Sequence, residues 1–287
     1  NKGSIEGEFE YDTDILTSET ITRLKNNFLC LLQSLVENPV APIASIGMIS
    51  EDEKKKIGAF TETYAEYPKE KTIVQFFEEQ ADMHPDKTAV VFKEKSLTYR
   101  QLNEKANQLA RTLRESGVKR NSSVGILVDK SIEMVIGILG ILKAGGAYLA
   151  IDPVFPEHRI NFMVKDGGCT IVLTQTHLMN VTIDGVKKLD LNSPSSYQSR
   201  KSNVERVNTS DDLAYIIYTS GSTGNPKGSL IRHFSVIRTV IDPDYMELSS
   251  DDRILYTSAI VFDVTTFELW GSLLNGATIY IVEKETI

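Results

Sequence analysis

The chain has 287 residues, of which 41% are hydrophobic and 24% charged, with a formal net charge of −8. That composition can bury a core and argues against disorder, and an acidic chain with interspersed charges argues against non-specific nucleic-acid binding. Two cysteines, Cys30 and Cys169, lie far apart without metal-ligand spacing, so neither a disulfide framework nor a cysteine metal site is expected and a reducing cytoplasm is the simpler location. The N-terminus carries no signal-peptide apolar core. The most apolar stretch, Met134 to Ile151, is interrupted by Lys143 and Gly145-Gly146. It reads as a buried helix and strand rather than a membrane span.

Ser18 caps an expected helix from Glu19 to about Glu37, with Ile21, Leu24, Phe28, Leu31, Leu32 and Leu35 on one face. Pro39 and Pro42 end it. Ser50-Glu51-Asp52-Glu53 is a capping-box pattern for a short helix through Ile57. The apolar stripe needs a partner surface, so residues 1–58 are expected to form a docking segment and linker.

Beyond an extended stretch, Thr72 caps a helix to about Met83, followed by a strand at Thr88–Phe92 and a turn at Glu94-Lys95. Leu102, Ala106, Leu109, Ala110 and Leu113 form a helical stripe that Gly117 terminates. A strand at Val124–Val128, a helix at Ser131–Lys143, a strand at Ala147–Ile151, a helix from Pro156 to Asp166 and a strand at Cys169–Thr174 follow. This alternation predicts an α/β domain with a mostly parallel sheet. Asn192 to Ser210 reads as an exposed polar loop. A helix is expected from Ser229 to about Ile241, its N-terminus facing the loop before it, with strands at Ile254–Ile260 and Ala277–Val282.

The stretch from Asp211 to His233, DDLAYIIYTSGSTGNPKGSLIRH, carries the strongest chemical signal. An apolar strand from Leu213 to Tyr218 leads into ten residues with three glycines, two serines, two threonines and Lys227. Glycines permit close backbone approach, consecutive N–H groups form an anion nest, and hydroxyls and a lysine complete a polyphosphate site. Pro226 and Gly228 stand where the usual P-loop requires glycine and a hydroxyl, and no G-x-G-x-x-G fingerprint is present. The bland alternative is a flexible, ligand-free Gly/Ser loop.

Tyr218 to Gly228 resembles the phosphate-loop signature of adenylate-forming enzymes, which include acyl-CoA synthetases, luciferases and adenylation domains of nonribosomal peptide synthetases. LTYRQLN (97–103) and LKAGGAYLAID (142–152) resemble the first and second adenylation-domain motifs, with Ala150 in place of the usual proline. YDTDILTSETITRLKNNFLCLLQSLVENP (11–39) resembles the end of a condensation domain, although the HHxxxDG motif of that domain is absent. The resemblance implies an α/β fold, the N-terminal part of an adenylate-forming domain over residues 59–287, with mostly parallel sheets and flanking helices. A condensation-domain tail and linker would precede it. It also implies that Thr219, Ser220, Gly221, Ser222, Thr223, Gly224 and Lys227 hold ATP phosphates, with Mg2+ bridging phosphate oxygens and Thr219 as its protein contact.

Asp263 sits among apolar residues in FDVTTFELWGSLLNGA (262–277). A carboxylate there is costly unless paired. It reads either as the N-cap of a helix from Thr265 to Leu274 or as the counter-charge of a cationic ligand. The stretch is similar to the fourth motif of amino-acid-adenylating domains, which implies that Asp263 pairs with the substrate ammonium and that Val264 and Phe267 line the side-chain pocket. His84, His158, His177 and His233 show no nucleophile spacing and read as surface or packing residues.

The implied reaction is attack of an amino-acid carboxylate on ATP, giving aminoacyl-adenylate and pyrophosphate, then transfer to phosphopantetheine on a carrier domain. Carrier and condensation domains of one synthetase are the expected partners, with no nucleic acid and no membrane. The family's adenine motif, ribose aspartate and catalytic lysine have no counterpart in these 287 residues, so the chain alone is expected to adenylate poorly or not at all. Two alternatives stay open: an acyl- or aryl-acid–CoA ligase, and a nucleotide-binding piece without turnover.

Overall fold

The computed structural model describes residue 3, residues 6–219 and residues 226–283. It separates into two compact units, residues 1–66 and 67–287. In the first, α1 (Ser18–Glu37) starts from Thr17, whose hydroxyl accepts the Thr20 N–H, one residue before the expected cap. α2 (Glu51–Thr61) starts from Ser50, whose side chain accepts the Glu53 N–H, and continues past Gly58. No residue of α1 is buried, and its apolar stripe leaves Leu24, Phe28, Leu32 and Leu35 exposed.

The second unit begins with α3 (Ile73–Met83) behind a full capping box of Thr72 and Gln75. It continues through β1 (Thr88–Phe92), β2 (Lys95–Thr98), α4 (Tyr99–Glu115), β3 (Ser123–Leu127), α5 (Ile132–Ala144), β4 (Ala147–Ile151), α6 (Glu157–Asp166), β5 (Ile171–Thr174) and β6 (Lys187–Asp190). Then come β7 (Leu213–Thr219), β8 (Lys227–Arg232), α7 (His233–Val240), β9 (Arg253–Tyr256), α8 (Val264–Thr266) and β10 (Thr278–Ile281). Between α8 and β10, Phe267–Gly271 forms one π-helical turn.

Six strands form one sheet in the order β6-β5-β3-β4-β7-β8, parallel except for the β7–β8 pair. A second sheet has the order β2-β1-β10-β9, with β1, β10 and β9 parallel and β2 antiparallel. Side-chain alternation along β4 explains why it is apolar throughout. Tyr148 and Ala150 join the core shared with α3, α4 and α5, while Leu149 and Ile151 join Ile160, Met163 and Val164 of α6 on the opposite face. Every residue of α5 except Glu133 is buried, so the Met134–Ile151 stretch is a core helix and strand. Among the described residues, no helix is long and apolar enough to cross a membrane. Gly145 ends α5 at φ +104, where a Cβ would meet Val207 Cγ2 at 2.5 Å. Both cysteines are free, and burial pushes the Cys169 thiol up to about 12.

One expectation is corrected. Residues 229–232 belong to β8, not to a helix. β7 would otherwise present unpaired N–H and C=O groups at the sheet edge, and β8 pairs with it from Leu213↔Arg232 to Thr219↔Lys227. The helix begins only at His233, at the end of β8 remote from the loop. Asn192–Ser210 is the mostly exposed loop expected, and it is tied down along its length. Carbonyls of Gln198, Arg200, Lys201, Ser202, Asn203 and Glu205 accept hydrogen bonds from Gln108, Arg111, Asn107 and Arg114 of α4, so the segment is strapped along that helix. The helix expected at Thr265–Leu274 is present from Val264 to Leu273, with the π turn Phe267–Gly271 inside it.

Between α3 and α5, Lys143 and Glu78 form an ion pair with side chains 0% and 2% exposed, and Arg206 reaches the second Glu78 oxygen at 2.8 Å. Burial pulls the Lys143 ammonium down to about 8, with Glu78 opposing.

Candidate functional site

A cavity of about 370 Å³ lies between α4 and the strap, and a larger one of about 540 Å³ lies where strands of both sheets end. The larger one is lined by Val128, Asp129 and Lys130 beyond β3, by Asp152, Pro153 and Val154 beyond β4, and by Thr257, Ala259, Ile260 and Phe262 beyond β9. These are the carboxyl ends of parallel strands, the place where open α/β sheets bind ligands. Lys130 Nζ donates to the carbonyls of Thr257 and Val282, tying the end of β3 to the ends of β9 and β10.

β7 and β8 form the stem of a hairpin whose loop end is marked by Thr219 and Lys227, paired in register and both exposed. The expected phosphate-binding residues Ser220, Gly221, Ser222, Thr223 and Gly224 lie outside the described residues. The stem on either side of them is described. Gly228 packs over Tyr218: a Cβ there would lie 3.2 Å from Tyr218 Cζ and 3.3 Å from Ile216 Cγ2. The Tyr218 hydroxyl donates to Asp166 Oδ2 at 2.6 Å. Burial, then the Asp166 carboxylate, lifts this phenol well above its ordinary range, so it stays a neutral donor.

At the other end of the stem, Asp212 is a hub. Its carboxylate accepts from Arg120 Nε at 2.8 Å, Asn121 Nδ2 at 2.7 Å and the Thr209 N–H at 2.7 Å. Burial raises its pKa, but these donors outweigh burial and hold it below the ordinary value. His233 is fully buried, takes the Ile73 N–H on Nδ1 at 3.4 Å and donates its own N–H to the Asp212 carbonyl. Burial lowers its pKa to about 4, so it is a neutral packing residue, as its sequence context suggests.

Asp263 is exposed rather than buried, and makes no side-chain cap bond to the turn that follows. Among the described residues its carboxylate has no hydrogen bond or ion pair. The N-cap alternative is therefore not realised, and the desolvation cost expected from its apolar neighbours does not arise. Phe262 and Val264 beside it are also exposed, whereas Phe267 packs partly against the core. Two side chains that sequence reasoning missed hold this turn. Thr266 Oγ1 shares a 2.6 Å hydrogen bond with Tyr215 of β7, and Glu268 is buried and bonded to Thr257 and Ser258. A carboxylate in the otherwise apolar run after Asp263 was the available signal for Glu268. No cluster of His, Cys, Asp and Glu among the described residues could hold a metal ion.

The two sheets, the crevice at the carboxyl ends of their strands and the exposed carboxylate beside it define an α/β domain built to take a ligand. The chain belongs to the AMP-binding enzyme family, which matches residues 77–287. It is 48% identical over 279 residues to gramicidin S synthase 2 of Brevibacillus brevis, covering 97% of this chain and 6% of that protein. It is 44% identical over 278 residues to tyrocidine synthase 3 of Brevibacillus parabrevis, covering 96% of this chain and 4% of that protein. Among solved structures it is similar to the AMPPNP-bound form of the nonribosomal peptide synthetase FmoA3, with TM-score 0.82 and 29% identity over 93% of this chain and 29% of that one. The Klebsiella oxytoca NpsA N-terminal subdomain gives TM-score 0.69 and 27% identity, over 75% and 55% of the respective chains. The chain thus spans only a small part of the curated relatives it matches.

Proposed function

We propose that this chain is part of a nonribosomal peptide synthetase module that activates an amino acid as its aminoacyl-adenylate for loading onto a carrier domain. The observation that carries the amino-acid reading is Asp263: an exposed carboxylate without a partner, flanked by exposed Phe262 and Val264, suits a ligand with an ammonium group beside an apolar side chain. Family membership and the similarity to a synthetase captured with AMPPNP support ATP as the second substrate.

In this reading Thr219, Ser220, Ser222, Thr223 and Lys227 hold the phosphates, and Gly221 and Gly224 let the backbone approach them. Mg2+ arrives with ATP. A single hydroxyl such as that of Thr219 would suffice to hold it beside the phosphates, whose charge it would neutralise. Asp263 binds the ammonium and Val264 and Phe267 the side chain. The substrate carboxylate oxygen bonds to the α-phosphorus as the bond to pyrophosphate breaks. The chain's part is positioning and charge neutralisation, with no protein nucleophile. Phosphopantetheine on the carrier domain accepts the aminoacyl group. Residues 1–58 serve as the end of a condensation domain and a linker, a role that suits the exposed stripe of α1.

The test is amino-acid-dependent ATP–pyrophosphate exchange by the synthetase polypeptide that carries this chain, with Asp263→Ala alongside. Loss of a charge-assisted hydrogen bond costs about 1.5–3 kcal/mol, so the variant should lose roughly 10- to 100-fold in kcat/KM for the amino acid. Exchange supported only by acids without an amino group, indifferent to the substitution, would establish an acyl- or aryl-acid ligase instead. The same assay on the 287-residue chain tests the expectation that it does not turn over by itself.

A further inference from the structure

Glu268 is a buried carboxylate that the reaction above does not use. It is 7% exposed, and no lysine, arginine or histidine among the described residues pairs with it. Four donors converge on it instead. Oε1 accepts from Thr257 Oγ1 at 2.8 Å, Ser258 Oγ at 3.1 Å and the Thr257 N–H at 3.2 Å, and Oε2 accepts the Ser258 N–H at 3.1 Å. All four belong to the two residues that follow Tyr256, the last of β9. A residue present only for packing would be apolar here, since burying a carboxylate is costly unless every lone pair is satisfied.

The position of Glu268 says what that expense secures. It lies in the π turn Phe267–Gly271 of the helix that runs from Val264, the residue after Asp263, to Leu273. Such turns are uncommon, occur mostly as bulges inside α-helices and are frequent at functional sites. Hydrogen bonds inside a helix fix its shape but not its direction relative to the sheets, so its orientation must come from contacts outside it. Glu268 supplies it by stapling the turn to Thr257, whose carbonyl accepts from Lys130 at the end of β3. A continuous set of contacts therefore runs from the six-stranded sheet, across the crevice floor, to the turn bearing Asp263.

We propose that Glu268 is a positioning residue for amino-acid recognition. Through Thr257 and Ser258 it fixes the turn that aims the Asp263 carboxylate at the substrate ammonium. The inference rests on the reading of Asp263 as the ammonium partner.

The experiment uses the full synthetase polypeptide and measures KM for amino acid and for ATP separately in pyrophosphate exchange. The variants are Glu268→Gln, Asp263→Ala and the double variant. Glutamine keeps the volume but points an N–H at the Ser258 N–H. Glu268→Gln should raise the amino-acid KM about tenfold, the size of one misaligned charge-assisted bond, with ATP KM and saturating kcat within about twofold. The double variant should match Asp263→Ala alone, because a misaimed group that is absent costs nothing further. Equal rises in both KM values, full additivity, or no change would overturn the proposal. Should Glu268→Gln not fold, the pair Thr257→Val and Ser258→Ala removes two donors and must show the same KM split. An Asp263→Ala variant with unchanged amino-acid KM would overturn the underlying reading itself. That result is distinct from a normal Asp263→Ala phenotype with an unselective Glu268→Gln.

Discussion

Tyr215 Oη and Thr266 Oγ1 lie 2.6 Å apart in the core, and this hydrogen bond joins β7, the strand that leads into the proposed phosphate-binding segment, to the helix that follows Asp263. Thr219 lies four residues further along β7, about 13 Å at strand rise. Burial raises the Tyr215 phenol above its ordinary pKa, the Thr266 bond opposes this, and the Asp263 charge adds to the rise. Tyr215→Phe keeps the ring stacked on Tyr148, whose centroid is 5.2 Å away, and deletes only the bridge. The expected cost is about 1 kcal/mol, or roughly 2–4 °C in Tm. Since the bridge serves both ends, KM for ATP and for amino acid should rise together, which thermal melts and exchange kinetics would show.

His233 gives a pH dependence of definite sign. Its folded pKa of about 4 lies below its ordinary 6.5, so the unfolded chain binds the extra proton first. Its stabilising effect is complete above pH 6.5 and is lost as pH falls toward 4, by about 1.4 kcal/mol per pH unit within that window. The lowered carboxylate pKa of Asp212 acts in the same direction, but only below its ordinary 3.8. Urea midpoints between pH 7 and 4.5 should decline for the native chain and be nearly flat for His233→Gln.

The Glu78–Lys143–Arg206 triad should be intolerant of partial removal. Glu78→Gln strands a fully buried ammonium and is expected to cost about 3–5 kcal/mol. The loss should be smaller at pH 9 than at pH 7, because Lys143, with a pKa drawn down to about 8, sheds its proton in the folded state. Denaturant titrations at the two pH values make the comparison.

Gly228 tests the hairpin stem. The Cβ of Gly228→Ala would lie 3.2 Å from the Tyr218 ring, which Asp166 holds in place, so β8 must give way. Overpacking of about 1 kcal/mol would displace the neighbouring Lys227. KM for ATP should rise several-fold with the amino-acid KM unchanged, the opposite split to that expected of Glu268→Gln.

Elements whose local signals agree with their burial were legible in the sequence. The Thr72 and Ser50 caps, the stripe of α4, and the apolar strands β3, β4 and β7 each carry period and punctuation of their own. What was not legible depends on partners distant in the chain. β2 and β6 are short and partly polar, and exist because they pair with β1 and β5. Ser229 to Arg232 carries no strand period, and only the open edge of β7 makes it one. At the site, the resemblance singled out Asp263, but its neighbours predicted a buried group where the structure shows an exposed one. Tyr215, Thr266, Glu268 and Lys130 went unseen because each acts across the fold, on a residue many positions away.

The strap along α4 is held in an unusual sense. Six of its carbonyls accept bonds from side chains, yet among the described residues no backbone N–H from Ser199 to Asn208 donates one. Two common probes of mobility should therefore disagree about it. Amide hydrogens there will exchange with deuterium almost as fast as in an open chain, since nothing protects them. A protease, which must pull eight or ten residues into an extended cleft, will find the same stretch resistant until Arg111 and Arg114 are replaced.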